Sequence, residues 1–232
     1  MAVMDQAGVV MRATHVRTGR PRWAIIAATG ATLRHMLQET SLSGVLLSVP
    51  EIHPDDRGTF HEWFKAEDFE EAVGFPLDLQ QANVSTSKSG VLRGLHYADV
   101  PPGQAKFVTC MSGRIWDVAV DIRKGSASFG KYIGVELTED NRHSLYLPVG
   151  FAHGFVALED STVAYLCSEG YNPSHEHGIN AFDEDLGIEW PTTDVILSEK
   201  DRTAPGLKEV QLPNYNECKA FEDVVRATWA DA

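Results

Sequence analysis

An apolar run near the middle of the chain contains two side chains that could do chemistry. The segment VLRGLHY at residues 91–97 carries Arg93 and His96. A lone histidine in such a run is usually a core residue, but cores seldom bury an arginine without an anion. Strand alternation would place Arg93 and His96 on opposite faces, so one pocket can use both only if the chain bends, as Gly94 permits. The pair therefore indicates a functional site.

Four more polar residues interrupt apolar segments downstream and upstream of this run. Lys106 heads an apolar strand, where an edge position that blocks aggregation and a functional position are equally good explanations. His153 lies between glycines and aromatics, and Tyr165 lies inside a strand, where tyrosine most often only packs. Arg57 follows two aspartates typical of a turn and could equally reach a phosphate. Each of these features alone is weak evidence for a functional site.

Common sequence signatures are missing, which removes several classes of enzyme. The chain has no GxGxxG or Walker loop, no GxSxG elbow and no HExxH. Nicotinamide chemistry, P-loop phosphoryl transfer, α/β-hydrolase chemistry and zincin proteolysis therefore have no support in the sequence.

Composition limits the partners and the compartment. The 232 residues carry a formal net charge of −13, which argues against nucleic-acid or anionic-membrane binding. The three cysteines are widely spaced and form no CxxC pair, so neither a disulfide framework nor a thiolate metal site is predicted. No apolar run is long enough to span a bilayer, and the apolar stretch before Thr29 is too short for a good secretory signal. We therefore expect a cytoplasmic protein.

The candidate functional residues lie in a β-rich region that begins at Gly44. Short runs rich in Val, Ile, Phe and Tyr alternate with Gly, Pro, Asp and Ser. The predicted strands are Val45–Val49, Thr59–Phe64, Leu79–Val84, Lys106–Met111, Arg114–Asp121, Tyr132–Leu137, Ser144–Leu147 and Val163–Ser168. Ser112-Gly113 is typical of a tight hairpin. In this region helices are predicted only at Glu67–Val73 and Glu217–Ala227, so the pattern favours an all-β sandwich, jelly roll or barrel.

The first forty residues differ from the rest of the chain. They hold five arginines and only two acidic residues, against an acidic excess elsewhere. We interpret residues 1–40 as a peripheral N-terminal extension, with a short helix over Ala31–Glu39, and residues 41–232 as one domain.

The order of these segments along the chain resembles the dTDP-4-dehydrorhamnose 3,5-epimerase family, including relatives that build antibiotic sugars. The resemblance extends over Leu42–Leu212. It rests on DDRGTFHEWF (55–64), QANVSTSKSGVLRGLHY (81–97), PPGQAKFVTCMSGRIWDVAVDIRKGSASFGKY (101–132), LPVGFAHGF (147–155), VAYLCSEGY (163–171) and LGIEWP…LSEKD (186–201).

The resemblance implies an all-β fold, a cupin-type jelly roll or double-stranded β-helix with a few short helices. It also implies a homodimer that exchanges strands, a dTDP-4-keto-6-deoxyhexose substrate, and no cofactor or metal. His96 matches the family's base, Asp201 the carboxylate that orients it, Tyr165 the acid on the opposite face, and Lys106 a residue near the developing enolate. The substrate-binding positions that match are Arg57 and Arg93 at the diphosphate, Phe60, Glu62, Gln81 and Asn83 around thymine and deoxyribose, Tyr171 near the nucleotide, and His153 at the sugar.

Epimerisation next to a keto group accounts for these residue types. Loss of the weakly acidic proton gives an enolate, and inversion then needs a base on one face and an acid on the other. The chain departs from many members in Ala98-Asp99-Val100, which replaces an uncharged polar residue after RGLHY. This departure leaves open whether C3, C5 or both are inverted.

Two other functions remain open from the sequence. A metal-dependent cupin, a dioxygenase or an isomerase, would need an HxH pair with a nearby Glu and a later His. His96 has no such partner, and the HxH at His175–His177 is predicted to lie in a loop. A non-catalytic sugar-nucleotide binder would need the arginines, but it would not need an acid and a base on opposite faces.

Overall fold

The computed structural model describes residues 11–13, 23–25 and 37–230, the first two ranges by their backbone only. The strands are β1 Met11–Ala13, β2 Trp23–Ile25, β3 Leu37–Glu39, β4 Leu46–Ser48, β5 His53–Asp55, β6 Gly58–Phe60, β7 Gln81–Ser87, β8 Leu92–Ala98, β9 Lys106–Ser112, β10 Arg114–Asp121, β11 Tyr132–Thr138, β12 Ser144–Leu147, β13 Phe151–Ala157, β14 Ser161–Cys167 and β15 Glu176–Gly178. The helices are α1 Ala66–Val73, α2 Glu199–Arg202 and α3 Tyr215–Ala230, with a 3₁₀ turn at Leu207–Glu209.

Two antiparallel sheets form the body of the molecule. One has five strands in the order β11-β10-β13-β8-β15, and the other has six in the order β3-β4-β12-β9-β14-β7. The strands from β7 to β10 alternate between the sheets, as do those from β12 to β15, so the chain winds around a shared interior. This winding is the predicted cupin-type jelly roll, which is confirmed.

Apolar side chains from both sheets fill the interior between them. Val108 and Val163 come from the six-stranded sheet, and Ile115 and Phe155 from the five-stranded sheet, all at most 5% exposed. Alternation along β10 sends Ile115 inward and Val118 outward.

The outer faces of both sheets are covered as well. The C-terminal segment packs Leu186 and Trp190 on the five-stranded sheet. Helices α1 and α3 pack Phe69 and Phe221 on the six-stranded sheet. Because the central strands are buried on both faces, strands such as β13 are apolar along most of their length.

The predictions of local structure at Ser112-Gly113 and at Ala31–Glu39 are wrong. Ser112-Gly113 is not a hairpin, because β9 and β10 belong to different sheets and the chain changes sheet there. Gly113 has φ +75°, and a Cβ on it would lie 2.2 Å from the carbonyl oxygen of Asp160. Leu37–Glu39 forms strand β3, which pairs with β4, and is not the end of a helix over Ala31–Glu39. The start of that predicted helix lies outside the described residues.

Both other predicted helices are present and slightly longer than predicted, as Ala66–Val73 and Tyr215–Ala230. In the part of the chain that the structure describes, no helix has the length and apolarity needed to cross a bilayer.

Candidate active site

A bulge in β8 turns Arg93 and His96 to the same face of the five-stranded sheet. His96 pairs with His153 of β13 and Arg93 pairs with Phe155, with a register shift between them. Gly94 lies at the shift with φ +111°, and a Cβ there would lie 2.6 Å from both the Cα of Gly154 and the carbonyl oxygen of His153. Only glycine fits such a site. The bend that the sequence required is therefore present.

His96 forms a close pair with Asp201. Its Nε2 lies 2.6 Å from the Oδ1 of Asp201, which is 7% exposed. Asp201 belongs to α2, whose N-terminal residue Ser198 accepts from the Asp201 backbone N–H at 3.1 Å and donates to Oδ2 at 2.8 Å. The pair predicted from the family resemblance is thus brought together from positions 105 residues apart.

Hydrogen bonding keeps the Asp201 carboxylate ionised. Burial alone would raise the pKa of Asp201, but hydrogen bonds from His96, Ser198 and the backbone of Gly94 lower it overall. An ionised carboxylate can only accept a hydrogen bond, so Nε2 of His96 carries the hydrogen and donates it to Oδ1 of Asp201. The lone pair of a neutral His96 then lies on Nδ1, which is the nitrogen available to act as a base.

The facing sheet carries Lys106 and Tyr165 on its inner side. In the pairing of β9 with β14, Val108 lies opposite Tyr165 and Lys106 lies opposite Cys167. Directly opposed residues share a face, and Val108 belongs to the interior. Burial raises the pKa of the Tyr165 phenol, and Cys167 and Glu176 add to the rise, so the group stays protonated near neutral pH.

Lys106 lies in a polar pocket between the sheets. The lining also includes Gln104, His153 and Glu176. Burial lowers the pKa of Lys106, while Cys167, Glu176 and Asp117 act in the opposite direction. The inward position favours the functional interpretation of Lys106 over an edge residue that blocks aggregation.

A second histidine–carboxylate pair lies beside the first. The Nε2 of His153 is 2.8 Å from the Oδ1 of Asp117, a residue with no exposed surface. The Oδ2 of Asp117 has no hydrogen-bond partner among the described residues. Sequence reasoning missed Asp117 as a site residue, although a carboxylate on the inward face of an apolar strand was a usable signal.

A chain of hydrogen bonds leads from the mouth of the interior to this pocket. The backbone N–H of Tyr171 donates to the Oε1 of Gln81 at 2.8 Å, and the Nε2 of Gln81 donates to the Oδ1 of Asn83 at 2.8 Å. The Nδ2 of Asn83 lies 3.7 Å from the sulfur of Cys167. These contacts place three of the predicted substrate-binding residues on one path toward Lys106.

The two arginines predicted to bind the diphosphate lie in different environments. Arg93 is anchored at the inner face, where Nε donates to Ser87 and a terminal nitrogen to the carbonyl of Thr86, each at 3.0 Å. Arg57 lies in the turn of the β5–β6 hairpin, 89% exposed and paired with Asp55. Phe60, 64% exposed, is on the same hairpin, and Glu62 follows it on the surface. Within one chain, the β5–β6 hairpin lies on the surface and does not join the pair formed by His96 and Asp201.

The HxH segment lies on the outside of the five-stranded sheet. His177 belongs to strand β15 and not to a loop, which corrects the prediction for this segment. The rings of His175 and His177 both approach Asp99, at 3.4 and 2.8 Å. Within the described ranges, no group of three or more His, Cys, Asp or Glu residues is placed to hold a metal ion.

The interior thus presents a base and an acid on opposite walls. His96, supported by Asp201, lies on one sheet, while Tyr165 and Lys106 lie on the other. This arrangement suits removal of a proton from one face of a bound carbon atom, stabilisation of the resulting anion, and return of a proton to the other face.

Comparison with known proteins identifies close relatives. Residues 39–209 match a family model described as dTDP-4-dehydrorhamnose 3,5-epimerase. The dTDP-4-dehydrorhamnose 3,5-epimerase of Mycolicibacterium smegmatis is 46% identical over 195 residues, which cover 82% of this chain and 96% of that protein.

Solved structures agree with this match. NovW, a 4-keto-6-deoxy sugar epimerase from the novobiocin biosynthetic gene cluster of Streptomyces spheroides, is 43% identical with a TM-score of 0.78, covering 83% of this chain and 98% of that one. ChmJ, a 3'-monoepimerase from Streptomyces bikiniensis in complex with dTDP-quinovose, is 40% identical with a TM-score of 0.78, covering 81% and 98%.

Proposed function

The chain belongs to the dTDP-4-dehydrorhamnose 3,5-epimerase family, and we propose that its inter-sheet pocket binds a dTDP-4-keto-6-deoxyhexose and inverts C3, C5 or both. Members include 3,5-epimerases and 3-epimerases, so the reaction class is an isomerisation without net redox change. The observation that carries the proposal is the placement of the His96–Asp201 pair and Tyr165 on opposite walls of one interior.

Proton abstraction is assigned to Nδ1 of His96. This nitrogen takes the proton from the carbon next to the 4-keto group, and the electron pair of the broken C–H bond forms the enolate. Asp201 holds Nε2–H and stabilises the imidazolium that results. Because Asp201 is ionised, the imidazolium forms beside a negative charge and not in an apolar interior.

Stabilisation of the enolate is assigned to Lys106. An ammonium group in a pocket between two sheets, where the effective dielectric is lower than in bulk water, interacts strongly with charge that develops on the keto oxygen. His153, held by Asp117, borders the same pocket and is assigned to the sugar. Removing one preorganised donor of this kind typically costs about 3 kcal/mol of transition-state stabilisation.

Reprotonation is assigned to Tyr165, and its replacement by Phe tests the two-wall mechanism. Without the phenol, His96 still removes the proton and returns one to the same face. We therefore expect the Tyr165→Phe variant to exchange the carbon-bound hydrogen with deuterated water while inversion falls by about 10²- to 10⁴-fold. Proton NMR of dTDP-4-keto-6-deoxyglucose in deuterated water measures both quantities on the same sample.

Tyr132→Phe is the matched control for this experiment. Tyr132 is a partly buried tyrosine of β11 whose hydroxyl accepts from the backbone N–H of Glu189, outside the proposed site. Its replacement should leave the ratio of exchange to inversion unchanged. Equal losses of exchange and inversion in Tyr165→Phe would contradict the assignment of Tyr165 as the acid on the second face.

The nucleotide site is proposed to be completed by a second subunit. Gln81 and Asn83 face the interior of their own chain and Arg93 is exposed but held by Ser87, whereas Arg57 and Phe60 lie on an exposed hairpin. A homodimer in which each hairpin reaches the partner's pocket would unite both arginines at one diphosphate, each able to engage its oxygens bidentately. Strand β7 is an edge of its sheet, with Val84 72% exposed, which supports an interface on this side.

Mixing two defective variants tests the shared site. In a heterodimer of Arg57→Ala and His96→Asn subunits, one site carries both changes and the other carries neither if the hairpins cross. We expect activity to rise after the two variants are mixed and allowed to exchange subunits, in a species of about twice the chain mass of 25.5 kDa. Exchange of subunits without any rise in activity would mean that each hairpin serves its own chain.

A cytoplasmic location is part of the proposal. The three cysteines are free and buried, an arrangement that suits a reducing compartment.

A further inference from the structure

We propose that Glu176 is a positioning residue of this site: its carboxylate faces Lys106 across the pocket and holds the lysine side chain in its ammonium form. This inference rests on the proposed epimerase function, in which Lys106 must be positively charged to stabilise the enolate. It adds a residue that neither the sequence nor the family resemblance identified.

The position of Glu176 on β15 aims it into the pocket. Strand β15 is an edge of the five-stranded sheet, and Glu176 pairs with Ala98 while Gly178 pairs with His96. Opposed residues share a face, so Glu176 lies on the same face as His96. Its side chain lines the pocket together with Lys106 and His153.

Lys106 needs a counter-charge because its surroundings remove water. Burial is the largest influence on its pKa and lowers it, which favours the neutral amine. The groups that oppose this effect are Cys167 from β14, Glu176 from β15 and Asp117 from β10. His153 from β13 is the other titratable side chain on the pocket wall besides Tyr97, whose hydroxyl bonds to Gln211 on the outside.

Of the two carboxylates among these groups, Glu176 acts more strongly on Lys106 than Asp117 does. Burial raises the pKa of the Cys167 thiol, so this group is neutral near pH 7. Asp117 is already committed to His153 at 2.8 Å. Glu176 has no hydrogen-bond or ion-pair partner among the residues that the structure describes, and it acts on Lys106 from an otherwise uncommitted position.

The same carboxylate also acts on the proposed acid. Glu176 contributes to the raised pKa of the Tyr165 phenol, after burial and Cys167. One negative charge thus favours the protonated forms of both Lys106 and Tyr165. Deprotonation of either group ends activity as pH increases, so loss of the Glu176 charge is expected to bring that end to a lower pH.

The pH profile of Glu176→Gln tests this role. Lys106 is active when protonated, so activity is lost as pH rises through its pKa, and removal of the neighbouring charge lowers that pKa. We expect the alkaline limb of kcat/KM to move down by about one pH unit, which is about a tenfold loss at a fixed alkaline pH. The acidic limb, where Lys106 stays protonated in both proteins, should stay in place.

Two more variants make the result specific. Glu176→Asp keeps the charge and should restore most of the alkaline limb. Glu169→Gln removes a carboxylate that lies outside the Lys106 pocket, on the far side of the six-stranded sheet, and should leave the profile unchanged. An alkaline limb that stays fixed in Glu176→Gln, in an enzyme whose wild type epimerises the substrate, would overturn the inference about Glu176. A wild type without epimerase activity would instead overturn the proposed function.

Discussion

Replacing His96 with Asn is expected to lower kcat for epimerisation by about 10³-fold or more, while the affinity for dTDP stays near that of the wild type. The reason is that asparagine cannot accept a proton from carbon at neutral pH, whereas general-base catalysis typically contributes 10²- to 10⁴-fold. The nucleotide is held by other side chains, so its binding does not depend on the base. Single-turnover kinetics with dTDP-4-keto-6-deoxyglucose and calorimetric titration with dTDP measure the two quantities separately.

His177 offers a matched control for this variant. It too is a strand histidine whose Nε2 lies 2.8 Å from a carboxylate, that of Asp99, but it lies on the outer face of the same sheet. We expect His177→Asn to keep activity within about twofold of wild type and stability within about 1 kcal/mol. Full activity in His96→Asn would contradict the assignment of the base, and loss of dTDP affinity together with activity would favour a binding role for His96.

Replacing Asp121 with Ala is expected to destabilise the fold by about 3–5 kcal/mol, because it leaves a buried guanidinium without its counter-ion. Asp121 has no exposed surface, and its carboxylate accepts from Nε and a terminal nitrogen of Arg123, each at 2.9 Å. The hydroxyls of Ser126 and Ser128 also donate to it at 2.6 Å. Arg123 is 7% exposed and lies over the ring of Phe151, so little of its guanidinium can be solvated in place of the lost carboxylate.

The pH dependence of stability follows from the same pair. Burial alone would raise the pKa of Asp121, but the bonds from Arg123, Ser126 and Ser128 lower it overall. The carboxylate of Asp121 therefore contributes fully to the free energy of unfolding above its unfolded pKa of about 3.9. This contribution is lost as pH falls through the lower pKa of the folded state.

Urea denaturation at pH 7 checks the loss in Asp121→Ala against Asp140→Ala. Asp140 is an exposed residue of the turn after β11, and its removal should change the free energy of unfolding by less than about 0.5 kcal/mol. Equal effects of the two substitutions would mean that the Asp121–Arg123 pair adds nothing beyond a surface ion pair.

Much of the fold follows from the sequence because strand alternation and turn residues are local signals. The predicted strand Arg114–Asp121 matches β10 residue for residue. The connection at Gly113 is different, since nothing local tells a hairpin from a change of sheet. That distinction depends on pairing partners remote in sequence, β14 for β9 and β13 for β10.

The site could be predicted only in part for the same reason. Gly94 signals a bend, but the pairing of His96 with Asp201 across 105 residues is a tertiary contact that the family resemblance, and not the spacing, indicated. The roles of Asp117 and Glu176 follow from burial and from which face of a strand they occupy. Glu176 lies beside two histidines on a three-residue strand too short to show alternation.

Hydrogen exchange at the substrate carbons tests the central claim most directly. Purified wild-type protein is incubated with dTDP-4-keto-6-deoxyglucose in deuterated water, with no added metal or nicotinamide, and followed by proton NMR. We predict that deuterium enters at C3, C5 or both with inversion, and that His96→Asn abolishes this entry; the labelled position identifies the carbon that the enzyme inverts. Absence of deuterium at both carbons, with the nucleotide still bound, would contradict an epimerase mechanism based on His96 and Tyr165.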